Sequence, residues 1–343
     1  MEKTVPKPTV PTLEDVAQLA NVSTATVSRC MNSPDRVQKQ TRERVLDAVR
    51  ELGYYPNFGA RALMAKSTNT IGAIIPTMEN AVFARGIQAF QETLREKGVT
   101  LFIASFSYQE ELEAEQIRTL TARGADGLLL IGHHRSDDVY RFLSNREIPV
   151  LCAWIYDPTQ PRLSIGFDNR SAMKNLATAV IAKGHHNIGM ISADQQSNDR
   201  AAQRVLGVHD AMAEAGLKAD AIQLIETPYS IENGANAFQA LMSRQNAPTV
   251  VMCGNDVLAT GALQGAKKMG LKVPADVSIT GFDDIELASI ADPTLTTVHV
   301  PHREMGRRAA HMLWDIVKGS PPAKSVELET TLCLRESLGA PAS

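Results

Sequence analysis

The chain has 343 residues, 44% hydrophobic and 21% charged, with a formal net charge of −3. This is the composition of a globular protein with a sizeable core and room for two or three domains. No apolar run approaches the roughly 18 residues of a membrane helix, and Cys30, Cys152, Cys253 and Cys333 are scattered without a CxxC pair, which argues against a membrane protein, a disulfide scaffold or a zinc module.

Residues 1–11 are proline-rich and lack the apolar core of a signal peptide, so they read as a disordered lead-in to a cytoplasmic protein. Thr12-Leu13-Glu14-Asp15 then has the form of a capping box, a hydroxyl for the first free amides and an acid three residues on. Leu13, Val16, Ala17 and Ala20 recur at helical spacing. Asn21-Val22-Ser23 breaks that helix, and Ser23 can cap a second one in which Val27 and Met31 face inward. Two short helices joined by a tight polar turn form a helix-turn-helix, whose second helix enters the DNA major groove. The leading residues of that helix, Thr24, Ala25, Thr26, Ser28 and Arg29, are small, hydroxylated or basic. Such residues approach base edges and phosphates without repulsion. Taken alone, the pattern also fits a small helical domain that binds no nucleic acid. Thr41 to Leu52 predicts a third amphipathic helix, stopped by Gly53. Residues 1–66 carry ten Lys and Arg against seven Asp and Glu, a charge of +3 that leaves −6 for the remainder. A modest positive head fits phosphate contact.

The runs TLEDVAQLANVSTATVSRCMN, ELGYYPN and ARALMAKSTNTIG closely resemble the lactose-repressor family of bacterial transcription regulators. The resemblance implies an operator of double-stranded DNA as partner. It implies DNA contacts at Thr12, Ser23, Thr24, Ala25, Thr26, Ser28, Arg29 and Asn32, and in a hinge at Asn57, Ala60, Arg61 and Leu63. A helix of about nine residues at 57–65 is marginal in water, because nucleation is costly. Gly59 weakens it by about 1 kcal/mol relative to Ala. It is expected to fold only against a partner. In the family, paired hinge helices sit in the minor groove and wedge a leucine between base pairs, and Leu63 matches that leucine.

From Thr70 the texture changes to short apolar runs alternating with amphipathic helices. The runs are Ile71–Pro76, Thr100–Ser105, Gly127–Gly132 and Ile148–Ala153, with helices over Phe83–Lys97, Glu110–Arg123 and Asp137–Asn145. The pattern restarts with helices over Ser171–Lys183, Asp199–Ala215, Ile231–Ser243 and Asp256–Met269 between strands at Ile188–Ser192, Ile222–Glu226, Thr249–Cys253 and Val277–Phe282. Alternation of this kind predicts parallel, doubly wound sheets. Two such lobes resemble periplasmic sugar-binding proteins, with the ligand between them. The chain recrosses near Leu295–Val298, and a helix over Glu304–Val317 should return to the first lobe. The expected fold is therefore an N-terminal all-α helix-turn-helix domain with a hinge helix, followed by an α/β periplasmic-binding-protein-like core of two doubly wound parallel-sheet lobes. The expected domains are 12–56, the hinge and linker 57–69, a first lobe of 70–166 plus 298–326, and a second of 167–297 plus 327–340.

Ligands of open α/β sheets bind beyond the carboxyl ends of strands. Val82 and Phe83 follow the first strand, Trp154 follows the strand ending at Ala153, Asn255 follows VVMC, and Asp283 follows ITGF. The family resemblance adds Arg204 and Tyr229 as lining residues. Arg200 lies one helical turn before Arg204, and two guanidinium groups on one face suit an anionic ligand. Phe83 and Trp154 each fit packing in the protein about as well as contact with the ligand. Asp168-Asn169 lies at the lobe crossing and reads first as structural or domain-coupling. The pairs His133-His134 and His185-His186 lack a third ligand at metal spacing, so no metal and no cofactor are expected. No P-loop, GxSxG or triad spacing argues for an enzyme.

These residues point to a ligand-responsive repressor of carbohydrate utilisation. Its effector would be a sugar or a sugar acid such as gluconate, since SYQEELEAEQIRTL, ADGLLL and SIGFDN look similar to gluconate-operon repressors. The tail from Leu334 has no leucine heptads, which predicts a homodimer on a two-fold operator. The rival readings are a sugar-binding transport protein and a sugar-processing enzyme with a fused DNA-binding head.

Overall fold

The structure is a computed structural model that describes residues 10–55, 67–79, 81–218, 222–320 and 324–342. It divides into a small unit, Met1–Thr68, and a large one, Asn69–Ser343.

The small unit opens on the predicted capping box. The Thr12 amide donates to the Asp15 carboxylate (2.7 Å), and the Thr12 hydroxyl accepts the Asp15 amide (3.3 Å). Helix α1 (Leu13–Leu19) follows, then a turn through Asn21 in the left-handed region (φ +52°). Helix α2 (Thr24–Asn32) starts where the Ser23 hydroxyl accepts the Thr26 amide at 3.2 Å. A single 3-10 turn at Pro34–Arg36 leads to α3 (Lys39–Leu52), ended by Gly53 at φ +61°. Helix α3 begins two residues earlier than its apolar periodicity suggested, on polar residues that carry no phase signal. Val16, Ala17, Ala20, Val27, Cys30, Val45, Ala48 and Tyr54 form the core. Met31, expected to face inward beside Val27, is only half-buried, and Cys30 takes the inner position. Both spacings from Val27, three and four residues, lie on one helical face. The hinge residues Asn57, Ala60, Arg61 and Leu63 lie outside the described residues.

The large unit holds two parallel sheets. The first is six-stranded, ordered β2 (Thr100–Ser105), β1 (Thr70–Ile75), β3 (Gly127–Ile131), β4 (Val150–Ala153), β5 (Ser164–Gly166) and β11 (Val326–Glu327). Its helices are α4 (Ala81–Glu96), α5 (Glu110–Ala122), α6 (Asp137–Asn145) and α12 (His302–Val317). The second sheet is four-stranded, ordered β7 (Ile222–Glu226), β6 (Ile188–Ser192), β8 (Val250–Cys253) and β9 (Ser278–Thr280). It carries α7 (Asn169–Ala182), α8 (Asp199–Glu214), α9 (Ile231–Met242) and α10 (Asp256–Lys268), with a short α11 (Glu286–Ile290). An antiparallel pair, β10 (Thr297–His299) and β12 (Thr331–Cys333), lies where the chain recrosses. The central strands are buried along their whole length, as sheets covered on both faces require.

Two departures from the sequence reading concern short strands. Ser164–Gly166 is a strand that three residues cannot announce by periodicity. Glu327 pairs with Gly166 in the first sheet, so the first lobe extends one residue past the boundary drawn before it. Helix α12 returns to the first lobe and packs along α4. Gly306 lies directly on the backbone of Gly86 at that crossing, so an added Cβ would strike the Gly86 carbonyl.

Overpacking of this kind costs about 1–3 kcal/mol. Gly306→Ala should therefore lower the melting temperature of the large unit by about 2–10 °C in differential scanning calorimetry. An unchanged transition would contradict the close helix crossing.

Candidate functional site

The carboxyl ends of both sheets face each other across a cleft. Val82, Phe83, Trp154, Arg200, Arg204, Tyr229, Asn255 and Asp283, the eight residues singled out in the sequence, line one cavity there. Tyr108 and Asn198 complete it. Tyr108 was missed, although it follows β2 at another strand end. Asn198 caps α8, where its side chain accepts the Ala201 amide.

The first lobe contributes an aromatic wall. Phe83 on α4 meets Trp154 edge to face, with centroids 5.3 Å apart. Trp154 leaves β4 in the left-handed region (φ +61°), and its indole Nε1 donates to His302 Nδ1 at 3.1 Å. His302 begins α12 and reaches the Asp283 backbone carbonyl of the second lobe through Nε2 at 3.2 Å. Burial pushes its pKa down to about 4, so it is the neutral imidazole that makes this bridge. Tyr108 meets Tyr229 across the cleft at 5.8 Å.

The second lobe contributes the charges. Arg204 sits over the Phe282 ring, its Cζ 3.9 Å from the centroid, and donates to Asn169 Oδ1 (2.9 Å) and the Gly254 carbonyl (2.5 Å). Its Nη2 lies 3.6 Å from Asp283 Oδ1. Arg200 is paired with Asp199 at 3.0 Å. Each guanidinium thus faces its own carboxylate, and the two do not form the free anion-binding pair that their spacing suggested. Asn169, read as structural or domain-coupling, donates to the Trp154 carbonyl at 3.1 Å and so ties the aromatic wall to Arg204.

Asp283 is 1% exposed and held at φ +101°. Its Oδ1 has no hydrogen-bond partner among the described residues. Burial pushes its pKa up to about 6, against the pull of Arg204 and Arg200. Backbone strain at two facing strand ends, Trp154 and Asp283, persists only where surrounding structure enforces it, and such strain concentrates at ligand clamps.

Beneath the cavity, Asp256 is fully buried. It accepts the Thr297 hydroxyl (2.7 Å) and the Ile285 amide (2.9 Å). Burial, then the charge of Asp283, push its pKa up to about 8. A folded pKa raised above the unfolded value gives stability that is full below about pH 4 and is lost as pH rises through the folded value. The stability of the large unit should therefore decline from pH 5 to 8, by up to about 1.4 kcal/mol per pH unit from this group. Asp256→Asn cannot ionise and should flatten that decline in urea titrations; parallel profiles would contradict the buried, protonated carboxyl.

On the small unit, Ser23, Thr24, Ala25 and Arg29 are exposed along one side of α2, Thr26 and Ser28 are half-buried, and Thr12 is exposed at the start of α1. Asn32 is the last residue of α2. Among the described residues no helix is long and apolar enough to cross a membrane.

Comparison with known proteins gives this arrangement its context. The profile of bacterial regulatory proteins of the lacI family matches residues 12–57. That of periplasmic binding proteins and the sugar-binding domain of the LacI family matches 68–333. The transcriptional repressor CytR of Escherichia coli (strain K12) is 34% identical over 311 residues, 91% of each chain. The solved lac repressor dimer bound to operator and the anti-inducer ONPF has a TM-score of 0.84 at 26% identity, covering 96% of this chain and 99% of its own. A complex of the regulator CelR with cellobiose has a TM-score of 0.70 at 28% identity, covering 95% and 99%. With both its DNA-reading head and its two-lobed core matched, the chain belongs to the LacI family of DNA-binding transcriptional repressors and is a regulator rather than an enzyme.

Proposed function

We propose that this repressor acts in the cytoplasm as a homodimer on a palindromic operator, and that a small polyhydroxylated effector bound between its lobes controls the complex. One observation carries the effector reading. The Asp283 carboxylate is buried with an oxygen that no described protein group satisfies. Leaving such a group unmade costs about 1–3 kcal/mol or more, and a ligand hydroxyl donates what is missing. Phe83 and Trp154 line the cavity, where aromatic rings suit the apolar side of a sugar ring.

The charge balance favours a neutral sugar over a sugar acid. Arg200 and Arg204 are each compensated by Asp199 and Asp283, so a gluconate carboxylate would have to displace one of them. CelR, a structural relative, is a transcriptional regulator solved with cellobiose, a neutral sugar. The cavity has about 20 Å³ of open space, room for one water. A sugar therefore enters by separation of the lobes or by movement of Tyr108, Arg200 and Tyr229. A tenfold release of DNA requires the effector to favour one state by about 1.4 kcal/mol. On the DNA side, Thr12, Ser23, Thr24, Ala25, Thr26, Ser28, Arg29 and Asn32 would meet the major groove and its phosphates. Asn57, Ala60, Arg61 and Leu63 would form the hinge, with Leu63 as the minor-groove wedge.

Asp283→Ala tests the assignment. Fluorescence anisotropy on the DNA upstream of the protein's own gene should show unchanged binding by the variant. The shift produced by an effective sugar should move to at least tenfold higher concentration, as loss of a charged hydrogen bond implies. A variant that responds like the wild type would place the effector elsewhere.

A further inference from the structure

A charged contact between the lobes lies just outside the cavity. Asp199 is the first residue of α8, in the second lobe. Its Oδ2 accepts two successive amides of the first lobe, His133 at 2.5 Å and His134 at 3.1 Å, from the loop after β3. Its Oδ1 accepts the Arg200 amide (2.9 Å) and Arg200 Nη1 (3.0 Å). The loop is shaped for this approach. Gly132 precedes the two amides at φ +74°, and a Cβ there would run into both the Asp199 carboxylate and the Arg200 guanidinium. Consecutive amides beside a left-handed turn form a backbone receptor for an anion. Burial opposes the Asp199 charge, but the Arg200 guanidinium and the His133 and His134 amides outweigh it and hold the carboxyl below the usual carboxylate range.

Other contacts between the lobes, the Asn169 amide bond to the Trp154 carbonyl among them, carry no charge buried against the opposite lobe. Arg85 meets Glu286 on the surface, where water and salt screen the pair. Tyr108 and Tyr229 share ring contact, and His302 makes one hydrogen bond to the Asp283 carbonyl. Asp199 alone among these joins a partly buried charge to two donors of the opposite lobe, and charge-assisted hydrogen bonds are roughly twice as strong as neutral ones. A second, larger cavity of about 620 Å³ borders it, lined by His133, His134, Tyr156, Asn169 and Gln203. Water there can solvate Asp199 once the amides let go, so the contact can be both strong and reversible.

We propose that Asp199 is the clamp that closes the two lobes, and that it also orients Arg200 over the effector cavity. It is a positioning residue, since it does not line that cavity itself. The closure holds independently of what the cavity binds. Only the coupling to Arg200 rests on the effector reading above.

Hydrogen–deuterium exchange of the full-length protein, without DNA or sugar, tests the clamp. In the wild type the amides of 131–136 should be protected. Asp199→Ala should raise exchange there at least tenfold. It should also raise it around Tyr108 and Tyr229, on the two walls that only closure brings together, while β3 and β6 stay protected. Asp199→Asn, which keeps one acceptor and loses the charge, should show the same pattern to a smaller degree. Gly132→Ala should reproduce it from the loop side with Asp199 intact. Faster exchange confined to 131–136, or none at all, would overturn the clamp. Because no effector is present, a wrong effector assignment leaves this result untouched. A failed clamp in turn leaves the Asp283 test standing.

Discussion

A carboxylate buried between two lobes is the constraint on which this core depends. Asp283 is shut away from water, carries a strained backbone, and has no hydrogen-bond donor for one oxygen among the described residues. A protein optimised for stability alone would remove such a group, because burial of an unsatisfied charge is among the most destabilising single features. Its neighbours are arranged to tolerate it. Arg204 offsets the charge from 3.6 Å, and Asp256 below has a raised pKa that favours its neutral form. The cost falls on folding, and under the proposed function the return is a site that prefers a hydroxyl donor over water-filled space.

The same carboxylate is connected mechanically to the first lobe. Its backbone carbonyl is held by His302, His302 is held by Trp154, and the Trp154 carbonyl is held by Asn169, which also fixes Arg204. These bonds form a loop that crosses the cleft and returns. A ligand that shifts Asp283 or Trp154 must disturb the registry of α12, and α12 packs along α4 through the Gly86–Gly306 contact. Tightly packed interfaces of this kind switch between discrete arrangements rather than deform smoothly.

Much of this was legible in the chain. The capping box, the Ser23 cap and the alternation of apolar runs with amphipathic helices correspond to α1, α2 and the two parallel sheets. The strand-end rule, together with the family resemblance, led to residues that converge on one cavity. What escaped was of two kinds. Ser164–Gly166 and Val326–Glu327 are too short to show a period, and Cys30 and Met31 differ by one step of helical phase. The other misses were relations between distant residues. His302 bridges Trp154 and Asp283, Asp199 reaches His133 and His134, and each arginine has its own acid. Spacing along one helix can place Arg200 and Arg204 on one face, but cannot say what stands opposite each of them.

Under the proposed function the cleft takes a neutral hydroxyl donor that faces an ionised Asp283. Isothermal titration calorimetry of neutral sugars against their aldonic acids, at pH 5 and at pH 7.5, tests it most directly. The account predicts that a neutral sugar binds more tightly than its acid. It also predicts that affinity weakens by about tenfold per pH unit once pH falls below about 6, where Asp283 takes up a proton. Tighter binding of the acid, or an affinity that strengthens at pH 5, would contradict it.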